Sequence, residues 1–304
     1  MARGKSLSSS TVRWGAVAIL VAVGIGVGTL VAAAYQHAAP DATPGAAAPI
    51  PTFNLGVETP TPTPTPEPVA APPRDAERFL AVGTGTGTNV WWRATAGACG
   101  GAAPSLERSA DAGATWVDVT PLYKGVTQLV ALDTFAQTQA QIVAAVGSGC
   151  EPQAMRTFTQ GQFWDSYPDV LAASRFISVT DPETVQLPSG PAAAPCADSR
   201  GLRAEGDIVA LICESTAFVA TGSEWAALPA PDAAALTIVG DNVLVGHAAP
   251  DCSGLSLTRY ADGDPAQPEP AGCAEGIDPT QPLAVAATTA GTLVWSGDTI
   301  SLIP

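Results

Sequence analysis

Hydrophobic residues along this chain follow two regimes. Through residues 14–35 they run almost unbroken, and no Asp, Glu, Lys or Arg stands between Arg13 and Asp41. As an α-helix such a run spans roughly 33 Å, enough to cross a hydrocarbon core of about 30 Å. Trp14 and Tyr35 close its two ends, where amphipathic rings favour the membrane interface. After Glu77 the apolar runs become short: 79–82, 126–132, 141–146, 207–213, 236–239, 243–245, 283–287 and 292–295. Gly, Pro, Asp and Ser separate them. Short β-branched runs with turn punctuation predict strands, and no helical period appears after the membrane segment. The expected fold class is all-β, preceded by one transmembrane helix.

Arg3, Lys5 and Arg13 precede the apolar helix, whereas its downstream flank carries no basic residue until Arg74. The positive-inside bias therefore places residues 1–13 in the cytoplasm and exports the chain beyond residue 36. A cleaved signal peptide is the competing reading, with small residues at Ala32–Ala34 and Ala38–Ala39. The run is longer than the roughly 7–15 residues of a signal core, which favours a retained signal-anchor. Gly24 and Gly28 form a GxxxG pair through which two such helices could dimerise. Residues 36–75 are rich in Pro, Ala and Thr, centred on Pro60-Thr61-Pro62-Thr63-Pro64-Thr65-Pro66. Proline removes donors and favours polyproline II, so this stretch reads as a disordered, semi-rigid stalk without a core. Residues 76–304 then form the extracytoplasmic domain of a single-pass cell-membrane protein.

Charge narrows the partners. The 304 residues carry 13 basic against 28 acidic groups, a formal charge of −15, and Lys124 is the only lysine after Lys5. Such a chain repels polyphosphate and anionic lipid, so nucleic acid is excluded and membrane contact is expected through the helix alone. An envelope polymer or a membrane protein is the expected partner.

A repeat runs through the exported region. Gly113 and Trp116 precede Pro121, Gly161 and Trp164 precede Pro168, and Gly222 and Trp225 precede Pro229. A cysteine comes before each unit (Cys99, Cys150, Cys213), and Cys252 with Gly263 reads as a degraded fourth copy lacking the tryptophan. The spacing has the roughly 40–60-residue scale of one four-stranded propeller blade. In the first copy Ser109, Asp111, Gly113, Thr115 and Trp116 spell S-x-D-x-G-x-T-W. This resembles the Asp-box, or BNR repeat, of sialidase-like β-propellers and of related sorting-receptor and assembly-factor propellers. The resemblance covers one full motif and implies a propeller, in which the motif is structural. Residues 77–304 divide into about five blades, or six if the strands are short. A two-sheet β-sandwich is the alternative architecture.

Six cysteines (Cys99, Cys150, Cys196, Cys213, Cys252, Cys273) lie on the exported side, which argues for three disulfides. Pairing of nearest neighbours is the simplest of several connectivities: Cys99–Cys150, Cys196–Cys213 and Cys252–Cys273. No CxxC spacing exists and only His37 and His247 are present, so neither a metal nor another cofactor is expected. His247 comes after a strand without an identifiable partner, no G-x-S-x-G elbow occurs, and no catalytic residue is assigned. Asp262-Gly263-Asp264 reads as a polar turn. Trp91-Trp92 places two rings on opposite strand faces, one of which could stack on a ligand. A sialidase-like hydrolase would need three converging arginines and a Tyr–Glu pair. Arg78, Arg93, Arg108, Arg156, Arg175, Arg200, Arg203 and Arg259 supply candidates for the first, in no recognisable motif. The function expected is a membrane-anchored extracytoplasmic binding or scaffold module; the alternative is a sialidase-like glycoside hydrolase or a degenerate relative.

Overall fold

The computed structural model describes residues 73–83 and 89–304. The 14–35 segment with its Gly24/Gly28 pair, and the stalk through residue 72, lie outside the described residues. Among the described residues no helix is long and apolar enough to cross a membrane.

The chain forms a six-bladed β-propeller: six antiparallel sheets among the described residues. Blade 1 holds β1 (Arg78–Val82), β2 (Trp91–Thr95), β3 (Ser105–Ser109) and β4 (Val117–Asp118). Blade 2 holds β5 (Val126–Ala136), β6 (Gln139–Val146), β7 (Glu151–Thr157) and β8 (Asp165–Ser166), and a six-residue helix, α1 (Pro168–Ala173), comes after it. Blade 3 has three strands, β9 (Phe176–Ile177), β10 (Thr184–Leu187) and β11 (Gly190–Ala193). Blade 4 comprises β12 (Ser199–Glu205), β13 (Ile208–Cys213), β14 (Thr216–Thr221) and β15 (Glu224–Ala227). Blade 5 comprises β16 (Ala233–Val239), β17 (Asn242–Ala249), β18 (Cys252–Ala261) and β19 (Pro268–Glu275). Blade 6 again has three, β20 (Leu283–Thr288), β21 (Gly291–Ser296) and β22 (Thr299–Ile303).

The expectation of about five blades is thus corrected to six, and the sandwich is set aside. Tight hairpins and the two three-stranded blades shorten the repeat. Blade 4 uses only Ser199–Ala227, with Gly206 and Gly222 at positive φ where its strands reverse. Pro168, which the repeat pattern treats as punctuation, instead opens α1 at its first position.

The strands β1, β5, β9, β12, β16 and β20 contact one another in that order, and β20 returns to β1, closing the ring. Side chains pointing from each sheet toward its neighbour make the core. Trp92, Leu106, Ile142, Met155 and Trp164 fill the space between blades 1 and 2, with the rings of Trp92 and Trp164 edge to face at 6.2 Å. Among the described residues no strand is shared between the first and last blades, and side chains hold that seam. Leu80 and the partly buried Trp91 pack with Ala284, Ala286, Leu293 and Trp295. Arg78 lies 4.3 Å over the Trp295 ring, while Arg93 stacks on Trp116 at 4.2 Å and approaches Trp295 at 5.4 Å.

The three disulfides pair as nearest neighbours: Cys99–Cys150, Cys196–Cys213 and Cys252–Cys273, with Cα separations of 5.9, 5.8 and 5.8 Å. Cys99, Cys150, Cys213 and Cys252 each sit where the second strand of a blade turns into the third. The cysteine recurrence in the sequence is therefore a recurrence of position. The first two bridges join blade 1 to blade 2 and blade 3 to blade 4; the last staples β18 to β19.

Candidate functional site

The turn between β3 and β4 is built from Ser109, Asp111, Gly113, Thr115 and Trp116. Ser109 Oγ accepts from Gly113 N (2.8 Å), and Asp111 accepts from Thr115 N (2.8 Å) and Thr115 Oγ1 (2.6 Å). Gly113 has φ 85°, and a Cβ there would stand 2.7 Å from the Trp91 ring, so only glycine fits. Trp116 Nε1 closes the turn on Gly113 O at 3.1 Å. These donors hold the exposed Asp111 carboxylate, Thr115 first, and pull its pKa down to about 2. A depressed carboxylate stabilises the fold above its ordinary value of 3.8, and that contribution disappears as pH falls through about 2. A carboxyl-carbon NMR titration is expected to show Asp111 ionising near 2; a midpoint near 4 would mean that Thr115 does not hold it.

The same turn recurs between β7 and β8 with different residues. Thr157 Oγ1 accepts from Gly161 N (2.8 Å), Thr159 Oγ1 from Phe163 N (2.8 Å), and Trp164 Nε1 donates to Gly161 O (3.1 Å). Gly161 has φ 91°, close to that of Gly113. Two threonine hydroxyls thus replace the serine and the aspartate. Hydroxyls four and two residues before the glycine are the signal in the sequence, and a pattern keyed to the carboxylate passes over them. Gly222 holds the equivalent place, between the third and fourth strands of blade 4, but in a tight hairpin pairing Thr221 with Glu224, and Trp225 Nε1 bonds Ala193 O of blade 3. Gly263 likewise sits in the β18–β19 turn, where Asp264 accepts from Ala266 N and Gln267 Nε2.

Two other candidates are structural. Trp92 is fully buried and offers no face to a ligand, and Trp91 packs under Gly113 and against blade 6. His247 is buried, its Nδ1 2.9 Å from Ala248 O and its Nε2 2.8 Å from Thr258 Oγ1.

Three cavities lie on or beside the ring axis. The inner strands β1, β5, β12, β16 and β20 start at one end of the ring, the leading end, and finish at the other, the trailing end. At the leading end a cavity of only ≈ 40 Å³ is bounded by Glu77, Arg200, Arg203 and Leu236. At the trailing end the axis opens into a cavity of ≈ 450 Å³ that includes Asp133, Gln141, Arg203 and Glu205. A lateral cavity of ≈ 280 Å³ adjoins it between β5 and β12, beside the two-residue β9, and α1 forms its wall. Its charged lining is Asp133, Arg156, Asp169, Arg175 and Arg203.

Arg203 borders all three cavities. Its Nη1 donates to Leu202 O (2.8 Å) and its Nη2 to Arg78 O (3.1 Å), with the guanidinium 4.9 Å over Phe79. In return Gly201 N donates to Glu77 Oε1 at 3.0 Å. Blades 1 and 4 stand opposite each other in a six-bladed ring, so these two bonds cross the axis and bar it. Burial raises the Glu77 pKa and lowers that of Arg203, each partly offset by the other's charge. Asp133 is wetted by the channel yet ringed by protein; the lost hydration raises its pKa against the pull of Arg203.

Arg156 Nε and Nη2 donate to Gln141 Oε1 (3.0 and 2.9 Å), and its guanidinium lies 4.6 Å over Phe135. Phe135, the exposed Phe158 and Tyr167 form a run of rings beside it, with centroids 5.3 and 6.2 Å apart. Among the described residues Arg156, Arg175 and Arg203 form no salt bridge; the ion pairs there are Arg93–Glu107 and Lys124–Asp165. Three guanidinium groups against two carboxylates, in a chain of net charge −15, make a local cationic pocket. Such a pocket can fix an anion through forked N–H donors. It lacks a tyrosine or glutamate among its lining residues.

No family model matches this chain, and no curated protein does. Among solved structures it is similar to YCF48 from Cyanidioschyzon merolae, at 12% identity and a TM-score of 0.40, over 74% of this chain and 80% of that one. It is also similar to the GH43_1 enzyme from Xanthomonas citri complexed with xylose, at 11% identity and 0.37, over 74% and 83%. A third is the Hadza microbial sialidase Hz136, at 11% and 0.34, over 71% and 49%. Likenesses this distant carry no inference about activity.

Proposed function

We propose that this chain is a membrane-anchored extracytoplasmic binding or scaffold module for a membrane protein or an envelope polymer, and that it binds at the trailing end of the axis. One observation carries the placement of the site: Arg156, Arg175 and Arg203 line one accessible cavity without salt-bridge partners among the described residues. Arg203 is held on Leu202 O and Arg78 O beside Glu77 and Asp133, so Arg156 and Arg175, which no carboxylate among the described residues meets within salt-bridge distance, are the groups available to a partner's anion. The apolar segment at residues 14–35 and the stalk support the anchoring. The test uses the full chain in lipid nanodiscs as bait against solubilised membranes and purified envelope polymers. A partner retained by the parent and lost on Arg175→Gln supports the reading; equal retention by both moves the site elsewhere.

The same cavity favours one second reading, an acid-sugar hydrolase of sialidase-like descent. Three arginines do converge, and Asp133, with its raised proton affinity, and Asp169 are two carboxylates in one pocket. The absent Tyr–Glu pair stands against it. Saturable release of sugar from a sialoside panel, abolished by Asp133→Asn, would replace the binding-module reading with this one.

A further inference from the structure

The start of β12 departs from regular strand geometry. Arg200 pairs with Ile212 and Arg203 with Ala210, so three steps along β12 match two along β13. Gly201, inside this bulge, takes φ 61° in the left-handed region. On a regular strand, residues three apart point to opposite faces. The bulge cancels that alternation, and Arg200 and Arg203 both line the cavity at the leading end of the axis. From within the bulge, Gly201 N donates to Glu77 Oε1 at 3.0 Å.

Charge around this cavity is unbalanced. Glu77 is the one acidic residue among the described residues that line it. Three guanidinium groups act on that carboxylate: Arg203, Arg74 from the short turn before β1, and Arg200. Arg78 borders the cavity too, but its Nη1 donates to Gly297 O and its guanidinium lies over Trp295. Arg200 is only 8% exposed. Its Nη2 donates to Glu214 O (2.9 Å), whereas its Nε is buried with no acceptor among the described residues. Burial lowers the Arg200 pKa, against the pull of the exposed Asp198 and of Glu77. Neither carboxylate comes within salt-bridge distance of it. A buried guanidinium with an unmatched donor is costly unless an anion stands beside it.

The size of the cavity restricts that anion. Its ≈ 40 Å³ gives room for about three water-sized spheres, at roughly 10–15 Å³ each. One halide ion with a water or two suits that space better than a sugar or a peptide does.

We propose that the leading-end cavity is an anion site holding one chloride-sized monovalent ion among Arg74, Arg200 and Arg203. It is separate from the lateral cavity that Arg156 and Arg175 line. The ion offsets the buried positive charge beside the bonds that cross the axis, and so steadies the hub of the ring.

Chloride NMR line broadening on the full chain in nanodiscs tests this, with gluconate holding ionic strength constant. The parent is expected to show saturable broadening that bromide displaces. Arg200→Gln should weaken chloride binding about tenfold or more, the loss of one charge-assisted donor. Glu77→Gln keeps an acceptor for Gly201 N but removes the competing charge, and should tighten binding about threefold. No saturable broadening in the parent, or equal affinity in the parent and Arg200→Gln, overturns the proposal. Should Arg200→Gln not fold, Glu77→Gln decides alone, and unchanged or weaker binding there overturns it. Broadening lost on Arg175→Gln but kept in Arg200→Gln would move the ion to the lateral cavity and overturn it equally.

Discussion

Replacing Trp92 by alanine is expected to cost about 3–5 kcal/mol, the loss typical of truncating a large, fully enclosed aromatic side chain. Trp92 is 0% exposed and fills the contact between blades 1 and 2, meeting the edge of Trp164 at 6.2 Å. No side chain nearby is free to collapse into the void, because Leu106, Ile142 and Met155 are themselves held by the two sheets. Trp92→Phe should cost far less, since Trp92 Nε1 is buried without an acceptor and its loss leaves no partner unsatisfied. Chemical denaturation of both variants checks the prediction. Equal costs for Ala and Phe would show that ring packing is not the dominant contribution at this site.

The second large effect concerns the Cys99–Cys150 bridge. It closes a loop with a sequence separation of 51 between adjacent blades, and the chain-entropy model assigns such a loop about 4 kcal/mol. The Cys99→Ser/Cys150→Ser double variant is expected to lose most of that, whereas Cys252→Ser/Cys273→Ser, whose loop spans 21 residues within one blade, should lose less. Thermal unfolding of the two variants gives the order. The reverse order would mean that native contacts in blade 5 depend on its staple more than the unfolded chain does on the longer loop.

Much of this fold is readable in the chain because hydrophobic alternation and the cysteine recurrence are local signals. The blade count is not, since nothing in residues 168–199 reveals that blade 3 has only three strands and an inner strand of two residues. The turn ending in Trp164 is hidden because Thr157 and Thr159 supply by hydroxyl what Asp111 supplies by carboxylate. The Gly222–Trp225 spacing marks the same place in blade 4, but there the turn is a two-residue hairpin of Gly222 and Ser223. The cationic pocket cannot be located from the sequence at all. Arg156, Arg175 and Arg203 come from β7, the link between α1 and β9, and β12, and only the ring brings them together.

The chain enters the ring at Pro73, one short turn before β1, and β1 is an innermost strand. Tension applied there along the axis would pull β1 lengthwise against β2. All five of their paired positions, Arg78–Thr95 through Val82–Trp91, would carry the load together rather than open one at a time. The arrangement places the ring's resistance to shear at its hub, where a pull on the N-terminal segment would first be felt.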